Sequence, residues 1–118
     1  MSKKVIDKEQ IYKLAERVQS QLYYDKAEDV KIIDLQGKAD FADYIVIATG
    51  RSSRHISALA DNLVDLFKEK GVENIGVEGQ AKGDWVLVDA HDIIVHIFRK
   101  EIRDIYDLDK MWSFTIKP

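Results

Sequence analysis

The stretch that most limits what this chain can fold into is YIVIAT, residues 44–49, an apolar run rich in β-branched side chains and without polar alternation. A strand with one face in water alternates apolar and polar residues, whereas a run that does not alternate belongs inside a sheet with both faces covered. A layer of helices must therefore sit on at least one side of it.

The rest of the sequence supplies those helices. Residues 7–24 place Ile11, Leu14, Ala15, Val18 and Leu22 at helical spacing, with Lys13, Glu16, Arg17 and Gln21 on the other side. Asp7 and Gln10 have the spacing of a capping pair. A second helix is predicted over 53–70, with Ile56, Leu59, Ala60, Leu63 and Phe67 on one stripe and Gly71 as its left-handed cap. A third is predicted over 101–112. Further strands are predicted over 30–35, 75–78, 85–89 and 93–98, the last two close enough for a hairpin. The order α, β, β, α, β, β, β, α predicts an α/β (α+β) fold: one compact domain over residues 1–118, with a mixed five-stranded sheet and flanking helices. A chain of 118 residues suits one continuous core rather than two.

Composition narrows the function. With no cysteine the chain has no disulfide, thiolate nucleophile or thiolate metal site. The net charge of -3 disfavours direct attraction to nucleic-acid phosphates, which needs clustered Lys and Arg. An acidic protein can instead dock on a basic protein. No apolar run approaches the roughly 20 residues that span a bilayer, and the charged N-terminus lacks the apolar stretch of a signal peptide, so the expected location is cytoplasmic.

Three groups of residues could carry chemistry. GRSSRH, residues 50–55, joins a strand to a helix, where free backbone N–H groups and the positive helix end could receive an anion. The simpler reading is that Ser52 or Ser53 caps the helix, and the spacing of a phosphate loop is missing. The carboxylates are scattered, and no strand offers two acids on one face, which a two-metal phosphoryl-transfer site would need. Asp61 and Asp65 share a helix face and read as solvated surface. The histidines His55, His91 and His96 lack HExxH spacing and an obvious third partner, so no zinc site is expected. His96, between Val95 and Ile97, reads as a core or rim histidine with satisfied ring nitrogens.

The remaining signal is aromatic. Period two places Trp85, Leu87 and Asp89 on one face of their strand and Val86 and Val88 on the other. In the partner strand it separates Ile94, His96 and Phe98 from Ile93, Val95 and Ile97. A face of Trp, Leu, His and Phe edged by acids suits a protein interface, where aromatic anchors carry most of the energy. The alternative is a sheet face covered by the last helix.

Taken together, DLQGKADFADYIVIATGRSSRHISALADNL, GVEGQAKGDWVLVDAHDIIVHIF and EIRDIYDLDKMWS resemble the ribosomal silencing factor family, also called the Iojap or RsfS family. The resemblance covers residues 11–113, and ATGxSSRH, VEG, DWVLVD, VHIF and YDLDxMW occur in the family's order. It implies a fold similar to nucleotidyltransferases without their catalytic equipment, hence no enzymatic activity and no cofactor. It further implies docking on the large ribosomal subunit through large-subunit ribosomal protein fourteen, where the small subunit would join. Subunit association would then be blocked and translation would fall when nutrients are short. Family members can also form homodimers, and without a transit sequence a bacterial member is expected. The family's contact surface would map here to Trp85, Leu87, His96 and Phe98 as a packed centre. Glu78, Asp84, Asp89 and Glu101 would face the basic partner, and Tyr106, Leu108 and Trp112 would contribute from the last helix. The competing reading is a divergent metal-dependent nucleotidyltransferase using Gly50, Ser52, Ser53 and Asp89, with nucleotide and magnesium held near GRSSRH.

Overall fold

The computed structural model describes residues 8–106. In chain order the elements are α1 (Lys8–Tyr24), β1 (Glu28–Asp34), β2 (Tyr44–Gly50), α2 (Ser53–Glu69), β3 (Gly76–Glu78), β4 (Trp85–Asp89), β5 (Ile93–Arg99) and α3 (Lys100–Tyr106). The strands form one sheet in the order β1-β2-β5-β4-β3. β2 and β5 run parallel and the other neighbours antiparallel. This is the mixed five-stranded sheet with flanking helices that the element order predicts.

All seven residues of β2 are buried, as its unalternating sequence demands. On one face Tyr44, Val46 and Ala48 join Ile93, Val95 and Ile97 of β5 and Val86 and Val88 of β4 in the main core. α1 closes that core with Ile11, Ala15, Val18 and Leu22, and α2 with Ile56, Leu59, Ala60, Leu63, Leu66 and Phe67. One apolar stripe per helix is enough, because each helix meets the sheet along a single side. On the opposite face Ile45, Ile47 and Phe98 pack with Leu35, next to Ala39 of the β1–β2 connection and Ile102 of α3.

The short α3 is held by a polar anchor. Arg103 is buried, and its Nη1 donates to the Asp29 carbonyl at 2.7 Å and to Thr49 Oγ1 at 2.8 Å. The Asp29 carboxylate lies 3.6 Å from Nη2. Asp29 sits in an irregularity of β1, where the register with β2 shifts between Glu28 and Lys31 and φ is 51°. That irregularity explains why β1 starts at Glu28, two residues before the predicted start: alternation cannot be read through an extra residue.

The end of α2 follows the expected cap. Gly71 has φ 90°, its N–H donates to Lys68 O at 3.0 Å, and Val72 N–H donates to Phe67 O at 2.9 Å. The expected capping residue Asp7 and the last-helix positions Leu108 and Trp112 lie outside the described residues. Among the described residues no helix is long and apolar enough to cross a membrane.

Candidate protein-docking surface

The antiparallel register of β4 and β5 sets Trp85 opposite Phe98, Leu87 opposite His96 and Asp89 opposite Ile94. These six side chains share the face away from α1 and α2. They do not share depth. Trp85 is 37% exposed, whereas His96 is 8% and Phe98 0% exposed. The two inner rings thus form a floor on which the indole rests. Trp85 lies 4.9 Å from Phe98 between ring centroids and 6.0 Å from His96, and the His96 and Phe98 rings stack at 5.9 Å and 7°.

A hydrogen bond fixes the indole on that floor. Trp85 Nε1–H donates to His96 Nδ1 at 3.1 Å. Nδ1 is then the acceptor, which leaves the proton of the neutral imidazole on Nε2. Burial pushes the His96 pKa down from 6.5 to about 4, so the ring stays neutral at ordinary pH and the bond persists.

The predicted acids are spread around this cluster rather than gathered on it. Asp84 lies beside Arg99: the Arg99 N–H donates to Asp84 O at 3.0 Å, and Arg99 Nε stands 3.0 Å from Asp84 Oδ1 as an ion pair. Glu78 is exposed on the edge strand β3, opposite Leu87. Asp89 is at the far end of β4, about 13 Å from Trp85 at the usual rise per residue. Its Oδ1 accepts from the His91 N–H at 2.9 Å and braces the hairpin, where His91 has φ 74°. Glu101 is exposed in the first turn of α3 and Tyr106 closes that helix.

GRSSRH has a structural task. Ser52 is the N-cap of α2, with its Oγ accepting from the His55 N–H at 3.0 Å. The Arg51 N–H donates to His55 Nδ1 at 3.0 Å, and His55 Nε2 donates to the Asp25 carbonyl at 2.8 Å. His55 thereby ties the turn after β2 to the end of α1, and the N–H groups of Arg51 and His55, which an anion would use, are already engaged.

The alternative catalytic set does not converge. Gly50 pairs with Arg99 at one end of β5, whereas Asp89 pairs with Ile94 near the other. Five residue steps separate those partners, about 17 Å along the strand. Among the described residues no group of three or more His, Cys, Asp or Glu side chains could hold a metal ion.

Sequence reading missed two residues that shape this surface, Gln80 and Arg99. Gln80 lies in a loop and Arg99 at the direct junction of β5 and α3, where single polar positions carry no periodic signal. The two glycines of GQAKGD were the available hint that the loop before Trp85 is conformationally constrained.

Comparison with known proteins agrees with this architecture. The sequence profile of the family described as "Ribosomal silencing factor during starvation" matches residues 8–117. A relative from Zymomonas mobilis named "Ribosomal silencing factor RsfS" is 45% identical over 108 residues, 92% of this chain and 79% of the relative. A mouse relative named "Mitochondrial assembly of ribosomal large subunit protein 1" is 31% identical over 97 residues, 80% of this chain and 42% of the relative. A crystal structure of a protein from Chromobacterium violaceum is similar with a TM-score of 0.82 and 35% identity, covering 87% of this chain and 86% of that one. With the profile spanning almost all of the sequence and the fold shared with a solved relative, the chain belongs to the ribosomal silencing factor (RsfS) family, whose role is ribosome silencing and translation regulation.

Proposed function

We propose that the protein binds the large ribosomal subunit through large-subunit ribosomal protein fourteen, with Trp85 as the central anchor of the contact. Bound there it occupies the surface that the small subunit would join, so the two subunits stay apart and translation falls when nutrients are short. No bond is made or broken; the effect is occupancy. The observation that supports this reading most is the Trp85 indole, exposed at its rim yet fixed by His96 and Phe98. An aromatic side chain already held in one orientation loses little freedom on docking, and such anchors dominate interface energetics. The exposed acids Glu78 and Glu101 would meet a basic partner, where rim charges mainly raise association rate and specificity. The name of the mouse relative, which refers to the large subunit, is in keeping with that partner.

Co-sedimentation with purified large and small subunits on a sucrose gradient tests the proposal. Wild type should migrate with the large subunit alone, and Trp85→Ala should remain at the top of the gradient. Failure of the wild type to migrate with the large subunit would overturn it.

A further inference from the structure

We infer that Gln80 is a positioning residue for the docking anchor, acting across the sheet from α2. The segment Gly79 to Asp84 leads from β3 into Trp85, so whatever fixes it also sets where the indole emerges. Gln80 reaches out of that segment onto the first half of α2. Its Nε2 donates to Asp61 Oδ1 at 2.8 Å and Ser57 Oγ at 3.0 Å, and lies 3.3 Å from Ser57 O. A carboxamide suits this place because its NH₂ group offers two donors to a site made only of oxygens.

The backbone around Gln80 closes tightly. Gly79 has φ 87°, and a Cβ there would stand 2.2 Å from the Trp85 carbonyl oxygen. Gly83 has φ 73°, and a Cβ there would stand 2.6 Å from Ser53 Cβ, at the start of α2. The Gly83 N–H donates to Gly79 O at 3.0 Å. The loop is thus closed on itself, pressed on Ser53, and fastened by Gln80 one and two turns further along the helix. At its exit Asp84 O accepts from Arg99, the last residue of β5. The Gln80 side chain is bonded to Ser57 and Asp61 of α2, so its influence on docking passes through the backbone it holds.

The inference rests on the proposed docking through Trp85, and the test separates the two. Gln80→Leu keeps the volume and removes the donors. Large-subunit affinity would be measured for wild type, Gln80→Leu, Trp85→Ala and the double variant. Exchange of the Trp85 indole N–H would be followed by NMR, the resonance being assigned by its loss in Trp85→Phe. Gln80→Leu is expected to weaken binding about tenfold, the scale of losing hydrogen bonds to a charged group, with no further loss in the Trp85→Ala background. It should also speed indole exchange at temperatures well below the thermal midpoint. Asp61→Ala, which removes one acceptor from the exposed side of α2, should reproduce the change in smaller measure and serves if Gln80→Leu folds poorly. Additive losses, or unchanged indole exchange in both variants, would overturn the positioning role and leave docking through Trp85 standing. Wild-type affinity in Trp85→Ala would overturn the docking reading, and indole exchange would still decide whether Gln80 positions the ring.

Discussion

At position 85 one side chain combines exposure with restraint, and its neighbours divide those tasks. In the proposed contact Trp85 is the anchor, His96 and Phe98 lie beneath it, and Asp84 beside it is paired with Arg99. Trp85→Ala should therefore cost about 2 kcal/mol or more of large-subunit binding. Asp84→Ala, which removes a half-exposed ion pair, should cost less than about 1 kcal/mol. A binding titration of both variants checks the order, and equal losses would contradict it. His96 gives a second residue-level expectation. Its folded pKa of about 4 lies below the ordinary 6.5, so as pH falls the unfolded chain takes up the proton first. Its stabilising contribution is complete above pH 6.5, is lost between 6.5 and 4, and levels off below; the full loss is on the order of 3 kcal/mol. Protonation would also turn Nδ1 into a donor facing the Trp85 donor. In urea unfolding, His96→Gln, which does not titrate, should lose less stability than wild type across that window; parallel curves would refute the assignment. Period two revealed which side chains share the Trp85 face, but it carries no information on depth, so it could not separate the indole from its supports.

Among the elements, α2 and the β4–β5 hairpin were legible because each keeps one period throughout, and β2 because its apolar run does not alternate at all. β1 and α3 were less so. The shift in β1 hides its first turn of pairing, and α3 depends on Arg103, whose partners Asp29 and Thr49 come from distant parts of the chain. No local pattern announces such a contact. Arg103→Met should lower stability by about 2 kcal/mol, since it strands the Asp29 carbonyl and Thr49 hydroxyl that the guanidinium satisfies. Thermal unfolding measures this, and an unchanged midpoint would show that water replaces the guanidinium. The loop before β4 gives the opposite kind of case. Gly79→Ala should destabilise the fold and displace Trp85, because both the positive φ and the nearby carbonyl forbid a Cβ. Melting together with indole N–H exchange would register it, and wild-type values for both would contradict the tightness of this loop.

For the molecule as a whole, the order of elements was enough to predict a mixed sheet with helices, but not that β5 would take the centre with β2 and β4 beside it. That arrangement supports the proposed docking reading over its alternative. It gathers Trp85, Leu87, His96 and Phe98 at adjacent register positions, and it sends Gly50 and Asp89 to opposite ends of the sheet. Membership of the ribosomal silencing factor family and the geometry of the aromatic face therefore favour one account, in which a small acidic protein acts by covering a surface. Its central claim is that occupancy of the large subunit through Trp85 keeps the small subunit away. The most direct test is light scattering of purified subunits mixed at joining magnesium concentrations after the large subunit has been preincubated with the protein. The account predicts that wild type suppresses the rise in scattering in proportion to its occupancy, while Trp85→Ala at the same concentration leaves joining intact. Full joining in the presence of saturating wild-type protein would contradict it.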